Sequence, residues 1–272
     1  MRRVRSTILL LVAAVGLLLP SSASAQSEWA PADSATIHPG VQTFTEGAQC
    51  TANFVFTNGA DVLIGQAAHC ASTDGATATN GCIAGSLPLG TQVEVDGATR
   101  PGTIVYSSWL TMQQRSESDN NTCEYNDFAL VKLDPADVAS VNPSVPIWGG
   151  PVAVGASTSF GDKVYSYGNS SLRFGLTATS PKEGYSLGQS GDGWTHDIYT
   201  VTPGIPGDSG SGFLSADGAA LGTLSTVAAL PFPLSNGVGD LSHELGYARQ
   251  HGGLAGLELA LGTEPFVGGN LP

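Results

Sequence analysis

The chain has 272 residues and a formal net charge of −13, with 23 acidic against 10 basic side chains. So acidic a protein is repelled by nucleic acids and by anionic membrane surfaces, and we expect neither as a partner. Charged residues make up only 12% of the chain and glycine occurs 36 times, a composition typical of an all-β protein with many tight turns.

The N-terminus has the pattern of a secretory signal peptide over residues 1–25. Three arginines precede an apolar run at residues 8–19, and the small residues 23–25 form a cleavage site before Gln26. The apolar run is short for a membrane span, so an uncleaved anchor is the alternative interpretation. We therefore expect a secreted protein without membrane association after cleavage.

A segment at residues 26–45 precedes the first β-like runs. The runs at 51–56 and 61–64 flank Asn58-Gly59, a strong hairpin signal. Ala67-Ala68-His69-Cys70 follows the second run, so a histidine stands directly after a predicted strand. Further β-like runs lie at 92–95, 103–106 and 128–133.

An aspartate precedes the last of these runs in Asn126-Asp127-Phe128. An acid at the start of an apolar strand is placed near the core, where it can orient a buried histidine. Asp119, Asp134 and Asp137 are nearby alternatives, although the last two fit turn and cap patterns better.

Residues 134–151 are rich in proline and glycine and predict a linker between two halves of the protein. Asp240 is placed to cap a helix that Gly252-Gly253 ends, before a last strand-like tail that alternates at Leu257, Leu259 and Leu261. Many short strands favour a β-sandwich or barrel. In the second half they lie at 163–167, 172–179, 197–202, 212–214 and 220–226.

A serine inside a glycine-dense loop, Gly207-Asp208-Ser209-Gly210-Ser211-Gly212, is the strongest chemical signal. A serine hydroxyl needs a base and an orienting acid, which His69 and Asp127 supply upstream. Gly207 permits unusual backbone angles, and its N–H and that of Ser209 are predicted to form an oxyanion hole. The order His, Asp, Ser excludes an α/β-hydrolase, in which the serine comes first.

These three motifs together resemble the chymotrypsin-like serine proteases, with Ser211 in place of the second glycine of the family's GDSGG. The resemblance runs from about Cys50 to Val227. It implies an all-β fold of two antiparallel β-barrels, at residues 46–140 and 141–239, with the active site in the cleft between them. His69 and Asp127 then come from the first barrel and Ser209 from the second, and a helix and tail follow at 240–272.

Four cysteines in a secreted chain predict two disulfides, and the residues alone leave three pairings open. The resemblance implies that Cys50 pairs with Cys70 beside His69, which leaves Cys82 with Cys123. No C-x-x-C or H-E-x-x-H spacing occurs, so we expect neither a metal site nor a cofactor.

The resemblance also implies that Asp208 pairs with a cation that fixes the oxyanion loop. In animal members this cation is a new N-terminus beginning Ile-Val-Gly-Gly, which the sequence lacks. We therefore predict an internal arginine as the partner, and no requirement for proteolytic activation. The candidates are Arg100, Arg115 and Arg173.

By the same resemblance, Pro203 lies at the base of the primary specificity pocket and Ser225-Thr226-Val227 forms its wall. Pro203 supplies no charge for a lysine or arginine side chain, and Thr226 and Val227 narrow the pocket. These residues favour small or apolar substrate side chains, with an acid from elsewhere, such as Asp240, as the open alternative.

The sequence therefore predicts a secreted serine endopeptidase that works through an acyl-enzyme on protein or peptide substrates, as a monomer. A catalytically silent, protease-like binding domain is the main alternative. An esterase acting on small acyl substrates is the second, because it would share the same triad chemistry.

Overall fold

The computed structural model of the protein describes residues 29–75, 78–228, 235–269 and 271, so the predicted signal peptide lies outside the described residues. No helix in the described ranges is both long and apolar enough to cross a membrane. The elements of the N-terminal half are β1 (Gln42–Thr45), β2 (Ala48–Thr51), β3 (Val55–Asn58), β4 (Asp61–Gln66), β5 (Gln92–Val95), β6 (Gly102–Ser107), α1 (Ser108–Arg115), α2 (Asn120–Tyr125) and β7 (Ala129–Lys132). The remaining elements are β8 (Lys163–Tyr167), β9 (Pro181–Ser190), β10 (Thr195–Thr200), β11 (Gly212–Ser215), β12 (Ala220–Ala228), β13 (Ser235–Asp240), α3 (Leu241–His251) and β14 (Leu257–Leu259).

The N-terminal half forms an eight-stranded antiparallel sheet in the order β14-β3-β4-β7-β6-β5-β1-β2. β3 and β4 make the predicted hairpin, with Asn58 opposite Asp61. Apolar side chains that alternate along several of these strands share one core. This core includes Val55, Ile64, Val93, Ile104 and Val131.

The C-terminal half forms a closed six-stranded barrel in the order β10-β13-β12-β11-β8-β9. Its interior is filled by one residue or more from most strands, including Val164, Ile198, Phe213, Leu224 and Val238. The predicted all-β fold is confirmed.

The C-terminal helix and tail join the two halves. Asp240 caps α3 as predicted, because its carboxylate accepts the backbone N–H of His243 at 2.9 Å. Leu241 and Leu245 on α3 are fully buried in a core that also contains residues of the N-terminal sheet. β14 then pairs antiparallel with β3, so the tail completes the sheet of the first half.

One predicted strand is wrong. Residues 172–179 contain parts of two 3-10 turns, Ser171–Arg173 and Thr177–Thr179, instead of a strand. Phe174 and Gly175 adopt φ angles of 52° and 77°, which an extended backbone does not allow.

The sequence reading also missed four strands, β1, β2, β9 and β13. Two of them carry glycines, which weaken a strand signal although the fold requires them. In β9, a Cβ at Gly184 would overlap the carbonyl oxygen of Tyr199 on the neighbouring strand. The close approach of the two strands therefore requires glycine at this position, and glycine weakens the sequence signal for a strand.

Candidate active site

His69 lies at the end of β4, on a 3-10 turn at Ala68–Ala71. Ala67 and Ala68 are fully buried, so the turn packs against the core through small side chains. Its next residue, Cys70, forms a disulfide with Cys50 on β2, with the Cα atoms 6.1 Å apart. The turn that carries the histidine is thereby fixed to the sheet at both ends.

Asp127 faces this turn from the other side, just before β7. Its Oδ2 lies 2.6 Å from His69 Nδ1, and its Oδ1 accepts the backbone N–H of His69 at 2.8 Å. Ser225 on β12 donates its hydroxyl to the same Oδ2 at 2.6 Å. The carboxylate is only 2% exposed, so these donors replace the water it loses.

The alternative acids are committed elsewhere. Asp119 caps α2 by accepting the backbone N–H of Thr122. Asp134 pairs with Arg100 at 3.6 Å. Asp137 accepts the backbone N–H of Thr99 at 2.9 Å. Of the four acids considered from the sequence, the structure brings Asp127 to His69.

The two groups shift each other's ionisation in opposite directions. Burial lowers the pKa of His69, but the charge of Asp127 and its hydrogen bond outweigh burial and leave this pKa above 6.5. Burial raises the pKa of Asp127, while the charge and hydrogen bonds of His69 and the Ser225 hydroxyl bring it below its usual value. The pair is therefore suited to an ionised aspartate beside an imidazole that accepts a proton.

Ser209 lies in the loop before β11, and this loop docks on the N-terminal sheet. Thr51 donates its backbone N–H to the carbonyl oxygen of Ser209 at 2.8 Å. Gly210 has a φ angle of 88°, and a Cβ there would lie 2.9 Å from the backbone nitrogen of Ala67. The residue after Ser209 thus touches the segment that carries His69.

In the described ranges, the hydroxyl of Ser209 makes no hydrogen bond to the His69 ring. Such contacts are often long in a free enzyme and tighten in the substrate complex. The backbone N–H groups of Gly207 and Ser209 also donate to no acceptor among the described residues. Two uncommitted donors within one turn are what an oxyanion requires.

Asp208, between these two donors, is fully buried and ion-paired. Its Oδ2 accepts Arg173 Nη2 at 2.5 Å, and its Oδ1 accepts the backbone N–H of Ser170 at 3.1 Å. Arg173 was one of three predicted partners. Arg100 lies beside Asp134 instead, and Arg115 ends α1.

Lys182 is a second cation at Asp208 that the sequence reading missed. Its Nζ lies 3.0 Å from Asp208 Oδ2 and donates to the carbonyl oxygens of Thr202 and Pro203 at 3.2 and 3.0 Å. Burial lowers the pKa of Lys182, and Asp208 opposes that effect. Because lysine is usually a surface residue, its presence at position 182 of the sequence did not predict this buried role.

No family model matches the chain, and no curated protein sequence matches it significantly. The structure is similar to protease A of Thermobifida fusca, with 18% identity, a TM-score of 0.54, and coverage of 84% of this chain and 100% of that one. The chain has the chymotrypsin-like protease fold.

Two further structures with this fold have TM-scores of 0.50. One is a glutamic-acid-specific serine protease, 16% identical, with 82% of this chain and 100% of that chain covered. The other is a Glu endopeptidase solved with MPD, 15% identical, with 77% and 90% covered. Identities this low carry the fold, so the chemistry has to come from this chain's own residues.

Gln49 on β2 joins the Ser209 loop to the turn at Ser171–Arg173, and the sequence reading missed it. Its Nε2 donates to the carbonyl oxygen of Gly207 at 2.9 Å, and its Oε1 accepts the backbone N–H of Ser171 at 3.0 Å. Thr51 donates its hydroxyl to the same carbonyl of Gly207 at 2.7 Å. These contacts orient the peptide that follows Gly207.

The residues predicted to form the specificity pocket lie on two segments that touch. Gly204, next to Pro203, donates its backbone N–H to Asn236 Oδ1 at 3.0 Å. A Cβ at Gly204 would lie 3.3 Å from Val227 Cγ2, beyond Thr226 on β12. Asn236 on β13 is buried, and the sequence reading missed it.

Two other candidates for the site have different neighbours. Ser225 bonds to Asp127, as described above. Asp240, the alternative pocket acid, lies 2.9 Å from the buried ring of His196 and caps α3. Its carboxylate is therefore committed to the helix start.

One group of possible metal ligands occurs among the described residues, and it surrounds the turn Ala68–Ala71, which carries His69. The ligand atoms of Cys50, His69 and Cys70 lie within 4.8 Å of one another. The two cysteines are bonded as a disulfide, and His69 Nδ1 is bonded to Asp127. The second disulfide, Cys82–Cys123, lies in the same half, so both pairings implied by the resemblance are present.

Proposed function

We propose that the protein is a secreted serine endopeptidase that works through an acyl-enzyme. The observation that carries the proposal is one arrangement of groups. A buried His69–Asp127 pair lies beside a glycine-rich serine loop whose two backbone donors, at Gly207 and Ser209, have no described acceptor. Nucleophilic acyl transfer needs this set of base, orienting acid, nucleophile and oxyanion donors.

The reaction follows from the groups. Ser209 Oγ attacks the carbonyl carbon of the scissile bond while His69 Nε2 takes the hydroxyl proton. Asp127 stabilises the imidazolium, and the N–H groups of Gly207 and Ser209 stabilise the oxyanion. The C–N bond then breaks, the leaving amine receives the proton from His69, and water repeats the sequence on the acyl-enzyme.

The proposed enzyme requires no proteolytic activation after its signal peptide is removed. Arg173 and Lys182 already supply the positive charge that Asp208 needs, from within the chain. Secretion is supported by the signal pattern at residues 1–25 and by two disulfides, which persist in oxidising compartments. We expect a monomer that acts on protein or peptide substrates.

The proposed substrate preference is for a small side chain before the scissile bond. Asn236 Oδ1 is bonded to the backbone of Gly204, and Val227 packs against the same residue. A large side chain would have to separate these walls and leave the buried Asn236 amide without its partner.

A serine-directed fluorophosphonate tests the chemistry. We expect the mature protein to be labelled at Ser209 near pH 8, and His69→Ala to lose the labelling. No labelling of a folded protein between about pH 6 and 9, where a neutral histidine acts as base, contradicts the proposal and favours the binding-domain alternative.

A peptide library and a set of small acyl esters then separate the two hydrolase classes. Cleavage of peptides after glycine, alanine or serine supports the endopeptidase, while turnover of esters alone supports the esterase. Val227→Gly opens the wall, so we expect it to raise cleavage after leucine or phenylalanine relative to alanine about tenfold. Val201→Gly on the exposed surface is the matched control.

A further inference from the structure

Glu244 is a buried carboxyl group that the chemistry above does not use. It lies in the first turn of α3 and is 0% exposed. Thr223 on β12 donates its hydroxyl to Glu244 Oε2 at 2.9 Å. The other oxygen, Oε1, has no hydrogen-bond partner among the described residues. A fully buried acid with one bonded oxygen requires a specific explanation.

The surroundings of Glu244 connect it to the catalytic acid. Thr223, which bonds Glu244, stands two residues before Ser225, which bonds Asp127. Glu244 therefore holds the strand that supplies the Ser225 donor of Asp127.

The same contacts cross the boundary between the two halves of the molecule. Asn53 in the N-terminal half donates its side-chain amide to Thr223 Oγ1 at 3.3 Å. Thr223 passes the connection to Glu244 on the C-terminal helix. A continuous chain of buried hydrogen bonds thus links the sheet that holds Asp127 with the barrel that holds Ser209.

The charge state of Glu244 follows from its neighbours. Two carboxylates in one buried region cannot both ionise at low cost, so the carboxylate with more hydrogen-bond donors keeps the charge. Asp127 has donors from His69 and Ser225, whereas Glu244 is bonded mainly by one hydroxyl. Burial raises the pKa of Glu244 well above its usual value, and the charges of Asp127 and Asp240 add to that effect. The pKa of buried Tyr106 on β6 is raised well above its usual value, first by burial and then by the charges of Tyr247 and Glu244.

We propose that Glu244 is a positioning residue of the active site, a buried acid on the C-terminal helix that holds β12 through Thr223 and thereby places the Ser225 hydroxyl against Asp127. This role rests on the proposed hydrolase function. A neutral acid can accept hydrogen bonds there without adding a second negative charge beside Asp127. An ionised Glu244 would raise the pKa of His69 and delay the formation of the free base as pH increases.

The test compares Glu244→Gln with Glu244→Leu. The amide keeps a neutral acceptor of the same shape, so we expect kcat to stay within about threefold of the parent and the pH profile to be unchanged. Leucine fills the space without an acceptor, so we expect kcat to fall about 10- to 100-fold with KM within about twofold, because small misplacements of catalytic groups cost that much. The exposed Glu258→Leu is the matched control.

A second readout reports the position of Asp127 directly. The proton between His69 Nδ1 and Asp127 gives a low-field NMR signal that depends on their geometry, and we expect Glu244→Leu and Thr223→Val to shift it. An unshifted signal together with an unchanged kcat in folded Glu244→Leu overturns the positioning role. An acid limb of the pH profile that moves to lower pH in Glu244→Gln overturns the neutral state.

The outcome separates this inference from the proposed function. If the parent protein is not labelled by fluorophosphonate, the hydrolase proposal fails, and the NMR signal still tests whether Glu244 positions Asp127. If Glu244→Leu does not fold, Thr223→Val removes the same contact with a smaller change in the core, and its kcat and NMR signal decide.

Discussion

The chain contains two buried histidine–aspartate pairs of similar construction. His69 Nδ1 lies 2.6 Å from Asp127, and His196 Nε2 lies 2.9 Å from Asp240. Each carboxylate also has a further side-chain partner. Ser225 donates to Asp127, and His243 contacts Asp240 at 2.8 Å.

The pairs differ at the second ring nitrogen of the histidine. His196 Nδ1 is occupied by the hydroxyl of Thr158 at 2.9 Å, and the ring is fully buried in the barrel half. His69 Nε2 has no hydrogen bond among the described residues, and the ring is 8% exposed beside the Ser209 loop. A buried pair of this kind gains chemistry only where one nitrogen stays open next to a nucleophile and oxyanion donors.

The largest expected effect separates the two histidines. His69→Ala removes the base, so we expect kcat/KM to fall at least about 10⁴-fold. His196→Ala leaves a cavity in the barrel and removes one hydrogen-bond partner each from Asp240 and Thr158, which keep His243 and Ser186. We therefore expect about 3 kcal/mol of lost stability and kcat/KM within about threefold for the folded fraction. Peptidase assays and thermal unfolding measure both. Equal activity losses would remove the distinction between the pairs.

The next effect concerns the ion cluster of Asp208, Arg173 and Lys182, called the Asp208 clamp below. The His196 pair has no counterpart to it among the described residues. Removing either cation leaves buried Asp208 underpaired and loosens the loop that holds the oxyanion donors. We expect Arg173→Met and Lys182→Met each to slow fluorophosphonate labelling about 10²-fold or more and to destabilise the fold by about 3 kcal/mol. Arg100→Met, at an exposed pair, is the control. Unaltered labelling in both clamp variants would show that the loop holds its shape without them.

A smaller effect compares the third partners of the two aspartates. Ser225→Ala removes a partly buried donor to the charged Asp127, and we expect kcat to fall about tenfold, since a hydrogen bond to a charged group contributes about 1.5–3 kcal/mol. His243 is 44% exposed at its side chain, so His243→Gln should change stability by less than about 1 kcal/mol and leave kcat/KM unchanged. A larger loss from His243→Gln would make Asp240 part of the catalytic machinery.

The smallest effect is a displacement of the pH profile. Because the pKa of His69 is raised, we expect kcat/KM to rise with pH through an apparent pKa above 6.5, since only the neutral ring acts as base. The contribution of this raised pKa to stability is present below pH 6.5 and is lost as pH rises through the folded value.

The two aspartates behave in the opposite way. Their pKa values are lowered, so the stability they contribute is present above about pH 3.8 and disappears as pH falls through the folded values. As pH falls, activity should therefore be lost first, through the raised pKa of His69, while circular dichroism still shows a folded protein down to about pH 4. Simultaneous loss of both signals would contradict this separation.

Much of the candidate site could be predicted from the amino-acid sequence. The AAHC segment, the aspartate before an apolar run and the glycine-dense serine loop are local patterns, and each specifies a backbone shape together with a reactive group. Arg173 could be named only as one of three cations, because its pairing with Asp208 spans 35 positions and depends on how the turn at Ser171–Arg173 folds inward.

Other parts of the site had no local signal. Lysine and glutamate usually lie on the protein surface, but Lys182 and Glu244 are both fully buried. Asn236 lies on a strand whose glycines concealed it. The apolar residues at 172–179 predicted a strand. In the structure Phe174 and Gly175 adopt left-handed backbone angles, and Leu172, Phe174 and Leu176 are exposed.

The sequence by itself determined the all-β class, the order of the candidate histidine, aspartate and serine, and the helix cap at Asp240. These features depend on residue types and spacings within a few positions of one another. Only the tertiary structure decided that Arg173 and Lys182 share Asp208, that Glu244 bonds Thr223 on β12 and that β14 joins the N-terminal sheet. Those contacts depend on which distant segments pack together, and packing is a property of the whole core.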